Sequence, residues 1–147
     1  MPMTDYPDPL LPPEQIPQVS LESMNQTHRE EVELVNRLAA TVAAGIAGEA
    51  DPTEIASLLD DWLEHTRNHF ARENELMAQY NFPAFPVHSG EHERVLTLLE
   101  DLRRTWIESK ALRPLALFLF EEWPAWFDNH VHTMDNVTAS FIRQQGG

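Results

Sequence analysis

The chain contains no cysteine, which excludes disulfides, zinc fingers, iron–sulfur clusters and thiol catalysis and leaves nitrogen and oxygen as the strong metal donors. Basic residues are scarce as well, with 10 Lys and Arg against 24 Asp and Glu and a formal net charge of -14. Such a negative field repels phosphate backbones and anionic headgroups, so no nucleic-acid or membrane partner is expected. Apolar runs are short: none approaches the roughly 20 residues that cross a bilayer. The amino terminus is acidic and proline-rich rather than basic then apolar, unlike a secretory signal. A cytoplasmic location is the resulting expectation.

What is present is one domain's worth of chain, 147 residues with 42% hydrophobic content, enough to bury a core without help from a metal. Six of the eleven prolines (Pro2, Pro7, Pro9, Pro12, Pro13, Pro17) fall in the first nineteen residues, where fixed φ and missing N–H groups forbid helix or central strand. Residues 1–19 are therefore expected to form an extended arm. From Ser20 onward apolar residues recur at spacings of three and four, the helical period.

Four helices follow from that pattern. The first spans about 20–47, with Leu21, Met24, Val32, Val35, Ala39, Val42 and Ile46 near one face. The second opens at Asp51-Pro52-Thr53-Glu54, which reads as an N-cap, a proline at the first helical position and a capping-box glutamate. It runs to about Tyr80. The third begins near Phe85 and ends near Lys110, and the fourth starts around Arg113-Pro114 and shows Leu115, Leu119, Trp126, Val137 and Phe141 inward. Short connections make this an all-α, antiparallel up-down-up-down four-helix bundle over 20–147. Pro124, inside the last helix, predicts a kink or short break there.

The chemistry lies on the inner stripes. His69 and Glu73 sit one turn apart on the second helix, His88 and His92 one turn apart on the third. His28 falls between Met24 and Val35 on the first helix, and His130 between Trp126 and Val137 on the fourth. A lone inward histidine is more often a hydrogen-bonded core residue than a ligand. Here all four helices contribute, with five of the seven histidines, and burying them unpartnered would cost a few kcal/mol each. A metal cluster satisfies them together. These donor types alone do not name the metal, since zinc and manganese take the same ligands as iron.

The order of motifs resembles the hemerythrin family: His28, then HFARE (His69 to Glu73), HSGEH (His88 to His92) and WFDNHVHTMD (Trp126 to Asp135). The likeness runs from about Leu21 to Phe141. It implies two iron ions bridged by an oxide or hydroxide, with ligands His28, His69, His88, His92 and His130 and with Glu73 and Asp135 bridging. Asp135 rests on the resemblance, because five residues from His130 is about 140° around an ideal helix. Without it, Asp135 reads as a surface acid or as the neighbour of a local helix irregularity.

By the same resemblance His88, His92 and His130 fill one iron, while His28 and His69 leave a position open on the other. Dioxygen is the implied ligand, bound reversibly for carriage, storage or sensing, with no protein partner named by the sequence. His65, Glu122 and Trp126 are candidates for the surroundings of the metals or the wall of an oxygen pocket. His65 stands one turn before His69, where tyrosine is expected in relatives, and it either supports the metal site or sits at the rim of the bundle. Glu122 stands where an apolar residue is expected, and it either faces the open iron or yields that place to Trp123. Two rival functions share the site: an enzyme acting on peroxide or nitric oxide, and an iron-storing or iron-sensing module.

Overall fold

The computed structural model describes residues 6–49 and 51–147; the first five residues of the expected arm, Pro2 among them, lie outside the described residues. Residues 6–21 are non-helical apart from a single 3-10 turn at Pro13–Gln15, as their prolines require. This stretch is tied down. The Asn36 side chain accepts from the Leu11 N–H and donates to the Leu11 carbonyl, both at 2.9 Å. Asn25 does the same for Val19, at 2.8 and 3.0 Å. Ile16 and Val19 are buried in the core, and the Tyr6 ring rests 4.7 Å from that of Phe120.

Helix α1 (Glu22–Ala44) buries Met24, Val32, Val35, Ala39 and Val42, the stripe its periodicity marks out. A widened last turn, Gly45–Glu49, follows, and Gly48 ends it at φ 100, a conformation that costs a residue without Cβ little. Helix α2 (Pro52–Gln79) starts as its sequence dictates: the Asp51 carboxylate accepts from the N–H groups of Thr53 and Glu54 at 3.1 and 3.3 Å, with Pro52 in the first turn. The Glu54 carboxylate lies 3.3 Å from the Thr41 hydroxyl, so it ties the start of α2 to α1. Helix α3 (Phe85–Ser109) stops at Lys110, which takes the left-handed conformation at φ 55.

The fourth helix of the bundle is built from α4 (Leu112–Leu117), α5 (Trp123–His130) and α6 (Asn136–Gln144), joined by two π-helical turns at Phe118–Glu122 and Val131–Asp135. Pro124 breaks nothing. It sits in the first turn of α5, just past the first wide turn, and the backbone stays helical through Glu122 and Trp123. The wide turn ahead of the ring absorbs the displaced i→i−4 bonding that an unbroken α-helix would lose.

The second wide turn has a larger effect. It inserts a residue into the helical count, so the inward stripe shifts: Val137, expected inside, is 56% exposed, and Thr138, Ala139 and Ile142 are buried instead. The core of the resulting four-helix bundle runs from Val35, Leu38, Ile55 and Trp62 through Leu99, Leu115 and Leu119 to Phe127 and Val131. Among the described residues, no helix is long and apolar enough to cross a membrane.

Candidate metal centre

At the middle of the bundle, helical spacing brings the predicted residues together. His28 comes from α1, His69 and Glu73 from α2, His88 and His92 from α3, His130 from the end of α5 and Asp135 from the second wide turn. All seven are buried, none more than 5% exposed. Asp135 arrives because a π-helical turn closes on the fifth residue rather than the fourth, which returns it to the face of His130. Their Nε2 and Oδ1 atoms lie 3.2 Å apart.

The donor atoms form two overlapping groups, one of His88, His92, His130, Glu73 and Asp135, the other of His28, His69 and Glu73. Each carboxylate divides its oxygens between them. Glu73 Oε2 meets His69 Nε2 at 2.8 Å, while Oε1 lies 3.2 Å from His92 Nε2 and 3.6 Å from His88 Nε2. Asp135 Oδ2 meets His28 Nε2 at 3.0 Å, while Oδ1 is 3.2 Å from His88 Nε2.

Such an arrangement fits cations better than hydrogen bonds. His88 and His130 bring their Nε2 atoms within 3.2 Å of each other, and Glu73 Oε1, His92 Nε2 and Asp135 Oδ1 are buried with no hydrogen-bond partner among the described residues. Buried polar atoms are rarely left so. Nitrogen and carboxylate oxygen converging on two points are what a divalent or trivalent first-row metal takes.

The electrostatics agree. Burial opposes ionisation of Asp135, but His130, His28 and His88 overcome it and hold its carboxyl well below the usual range. Burial likewise opposes charge on His69, yet Glu73 and Glu31 raise its pKa to about 10. His92 moves the other way, because burial outweighs its single carboxylate neighbour.

Around the donors stands a set of supports that helical spacing alone does not reveal. Thr138 Oγ1 lies 2.8 Å from His88 Nδ1, and Asn74 Oδ1 accepts from His92 Nδ1 at 2.9 Å. Glu91 accepts from the Trp126 indole N–H at 2.7 Å. Arg94 foremost, with Trp126, lowers the Glu91 pKa to about 2.

Glu31 is the least expected. It is buried on α1 and accepts from Trp62 Nε1 at 2.6 Å and His65 Nδ1 at 2.7 Å, with Thr66 Oγ1 at 2.8 Å and His69 Nδ1 at 3.4 Å. Although burial pushes the other way, His65 and His69 lower its pKa to about 2. His65 thus leans on Glu31 and, through Nε2, on Glu30 at 3.3 Å. The signal was its i+3 spacing from His28.

Glu122 is exposed, and Trp123 is the buried residue beside it. His132 is exposed on the far side of the helix. Aromatic rings pack the donors in place: Phe70 stacks on His92 at 4.0 Å, Trp126 on His130 at 4.6 Å, and Phe127 meets His28 edge-on at 5.7 Å. Beside His69, His130 and Asp135 lies a cavity of about 10 Å³ walled by Val95, Leu99, Trp123, Phe127 and their neighbours, with Glu31 and Thr66 as its other polar lining. On another side an open groove of about 340 Å³ between α1 and α2, past Met24, Thr27 and Arg72, reaches His69 and Glu73.

Comparison with known proteins agrees with this geometry. The family described as Hemerythrin HHE cation binding domain matches residues 19–142. A bacteriohemerythrin of Aquifex aeolicus (strain VF5) is 31% identical over 130 residues, covering 88% of this chain and 95% of that protein. One of Ralstonia nicotianae is 32% identical over 111 residues, covering 76% and 80%. One of Methylococcus capsulatus is 24% identical over 112 residues, covering 75% and 79%. No solved structure matches significantly. A buried histidine and carboxylate cluster drawn from every helix of the bundle, together with these matches, places the chain in the hemerythrin family of HHE cation-binding domains.

Proposed function

We propose that the chain holds two iron ions and binds dioxygen reversibly, as a carrier, store or sensor. The observation that carries this reading is the division of the two carboxylates: Glu73 and Asp135 each turn one oxygen toward the histidines His88, His92 or His130 and the other toward His28 or His69. So placed, Glu73 and Asp135 would join a metal held by His88, His92 and His130 to one held by His28 and His69. With a shared oxide or hydroxide, these five histidines and two carboxylates would leave one position free on the two-histidine side. A pair of irons held this way supplies a reducible centre with one position free for a small ligand.

The protein's own part is to shape what reaches that position. The cavity beside His69 has room for about one water-sized body, which suits a diatomic molecule and excludes a bulky substrate. Leu99, Trp123 and Phe127 give it an apolar wall, and such a wall limits the leakage of protons that makes oxidation irreversible. Thr138 and Asn74 fix the rings of His88 and His92.

One feature favours the rival reading of peroxide or nitric oxide turnover: the Glu31 carboxylate in the cavity wall, bonded to His65, which offers a polar group where a carrier needs none.

Visible absorption of the purified protein, with iron quantified, separates the readings. Two irons per chain and an oxygen-dependent band that appears in air and vanishes on deoxygenation supports the carrier. Two irons with a band that decays within turnover times moves the assignment to an enzyme. Protein purified from iron-replete cells that neither contains nor takes up iron overturns both.

A further inference from the structure

Three of the proposed ligand histidines have their outward ring nitrogen matched to an oxygen, and the oxygens differ. His88 Nδ1 faces the hydroxyl of Thr138 and His92 Nδ1 the amide oxygen of Asn74, both neutral. His69 Nδ1 faces the carboxylate of Glu31 at 3.4 Å. We propose that Glu31 is a positioning residue for the metal centre: it holds the His69 imidazole with Nδ1–H toward its own Oε1 and Nε2 toward the metal, and its buried charge favours the oxidised state of that metal. The inference rests on the di-iron reading and extends it to an asymmetry between the two sites.

Glu31 is built to stay where it is. Its Oε2 accepts from the Trp62 indole, with the Thr66 hydroxyl also in reach, and its Oε1 accepts from His65. None of those three is a proposed ligand, so the carboxylate is fixed whether or not the centre is loaded. Trp62 and Thr66 come from the same face of α2 as His69, so the groups that hold Glu31 move with the ring it orients. His65, pinned between Glu31 and Glu30, closes the solvent side of the network.

The chemistry follows from the hydrogen bond's direction. A carboxylate accepts and cannot donate, so it selects the His69 tautomer with hydrogen on Nδ1 and frees the Nε2 lone pair. The bond also pushes electron density into the ring, making it a stronger donor to a more highly charged metal. His28, the other proposed ligand of that metal, has no partner at its outward Nδ1 among the described residues, so Glu31 supplies negative charge behind this half of the centre.

The test uses the full chain loaded anaerobically with ferrous iron. Glu31→Gln keeps an acceptor for Trp62 and removes the charge; Glu31→Asp keeps the charge on a shorter arm. Iron bound by Glu31→Gln is expected to be roughly 10- to 100-fold weaker, read as release to a ferrous chelator. Its reduction potential is expected to rise, since charge loss weakens ferric more than ferrous binding; each tenfold difference equals about 59 mV for one electron. Glu31→Asp should recover much of the potential.

A Glu31→Gln protein with wild-type iron content, release rate and potential overturns the inference. A merely structural role also overturns it, and shows as equal loss of melting temperature with and without iron at unchanged potential. Wild-type protein that takes up no iron sinks the di-iron reading itself, and this inference with it. Should Glu31→Gln fail to fold, a crystal structure of the iron-loaded wild type decides: His69 bound to iron through Nδ1, or turned away from Glu31, overturns the proposal, and Nε2 ligation with Nδ1 on Glu31 supports it.

Discussion

Trp126 lies almost flat on His130, with ring centroids 4.6 Å apart and planes 17° from parallel, while its indole N–H reaches across to Glu91 on α3. The ring therefore fixes the tilt of one donor and joins two helices through that contact. Trp126→Phe keeps the stack and loses the hydrogen bond, and thermal melting should show a loss of about 1 kcal/mol. Trp126→Ala removes both; because the ring is half-buried, the loss should lie near the low end of about 3–5 kcal/mol. Iron release should quicken in the alanine variant and stay near wild type in the phenylalanine one.

Thr138 and Asn74 set the outward nitrogens of His88 and His92. Replacing either by a nearly isosteric apolar residue, Thr138→Val or Asn74→Leu, leaves an imidazole nitrogen without its partner. Iron affinity in each variant, measured by chelator competition, should fall roughly 10- to 100-fold. Unchanged affinity would show that packing alone orients these rings.

The pH dependence has two opposite arms in the metal-free protein. His69 has its pKa raised from 6.5 to about 10, so its contribution to stability is complete below 6.5 and fades as pH rises through 10. Glu31 is lowered from 4.5 to about 2, so its contribution is present above 4.5 and is lost as pH falls toward 2. Melting temperature against pH should therefore hold a plateau between the two windows. Metal binding takes the His69 Nε2 lone pair and must expel a proton, so iron affinity should climb with pH below about 10 and uptake should acidify a weakly buffered solution.

Glu122 is exposed and Trp123 is buried in the cavity wall. Glu122→Gln should leave iron content, visible spectrum and stability unchanged to within about 0.5 kcal/mol. Trp123→Ala should enlarge the cavity beside His69, admit water and speed the decay of any oxygen-dependent band. The reverse ranking would mean that the wide turn at Phe118–Glu122 rearranges when the centre is loaded.

The stretch before α1 is a structural part of the bundle through Asn36, whose amide serves both backbone groups of Leu11. Asn36→Ala leaves those partly buried groups without partners and should cost about 1–3 kcal/mol in a thermal or urea melt. Iron content should be unaffected.

The helices were legible because proline, apolar spacing and caps agree with one another. Asp51-Pro52 marks a start that the backbone adopts, and the stripe from Met24 to Val42 is the one α1 buries. The donors were legible where they obey the helical period, as His69 with Glu73 and His88 with His92 do. Asp135 escaped it because the helix itself changes period between His130 and Asn136, and Val137 was misplaced for the same reason. Glu31 was hidden by composition: it sits in Arg29-Glu30-Glu31, two residues before Glu33, and a cluster of charges reads as a solvated face. What buries it is Trp62, His65 and Thr66 on another helix, a relation that no single helix displays.

The wide turn at Val131–Asp135 makes one residue of the last helix do two jobs at once. Winding these same residues as a regular α-helix would swing Asp135 about 140° off the face of His130 and turn Ile142 and Ala139 from the core toward water in the same stroke. Metal binding and core register are thereby locked to one local count. A chain one residue shorter there would run as a regular helix and keep donor and seam on their faces, so the irregularity and the extra residue can be lost only together.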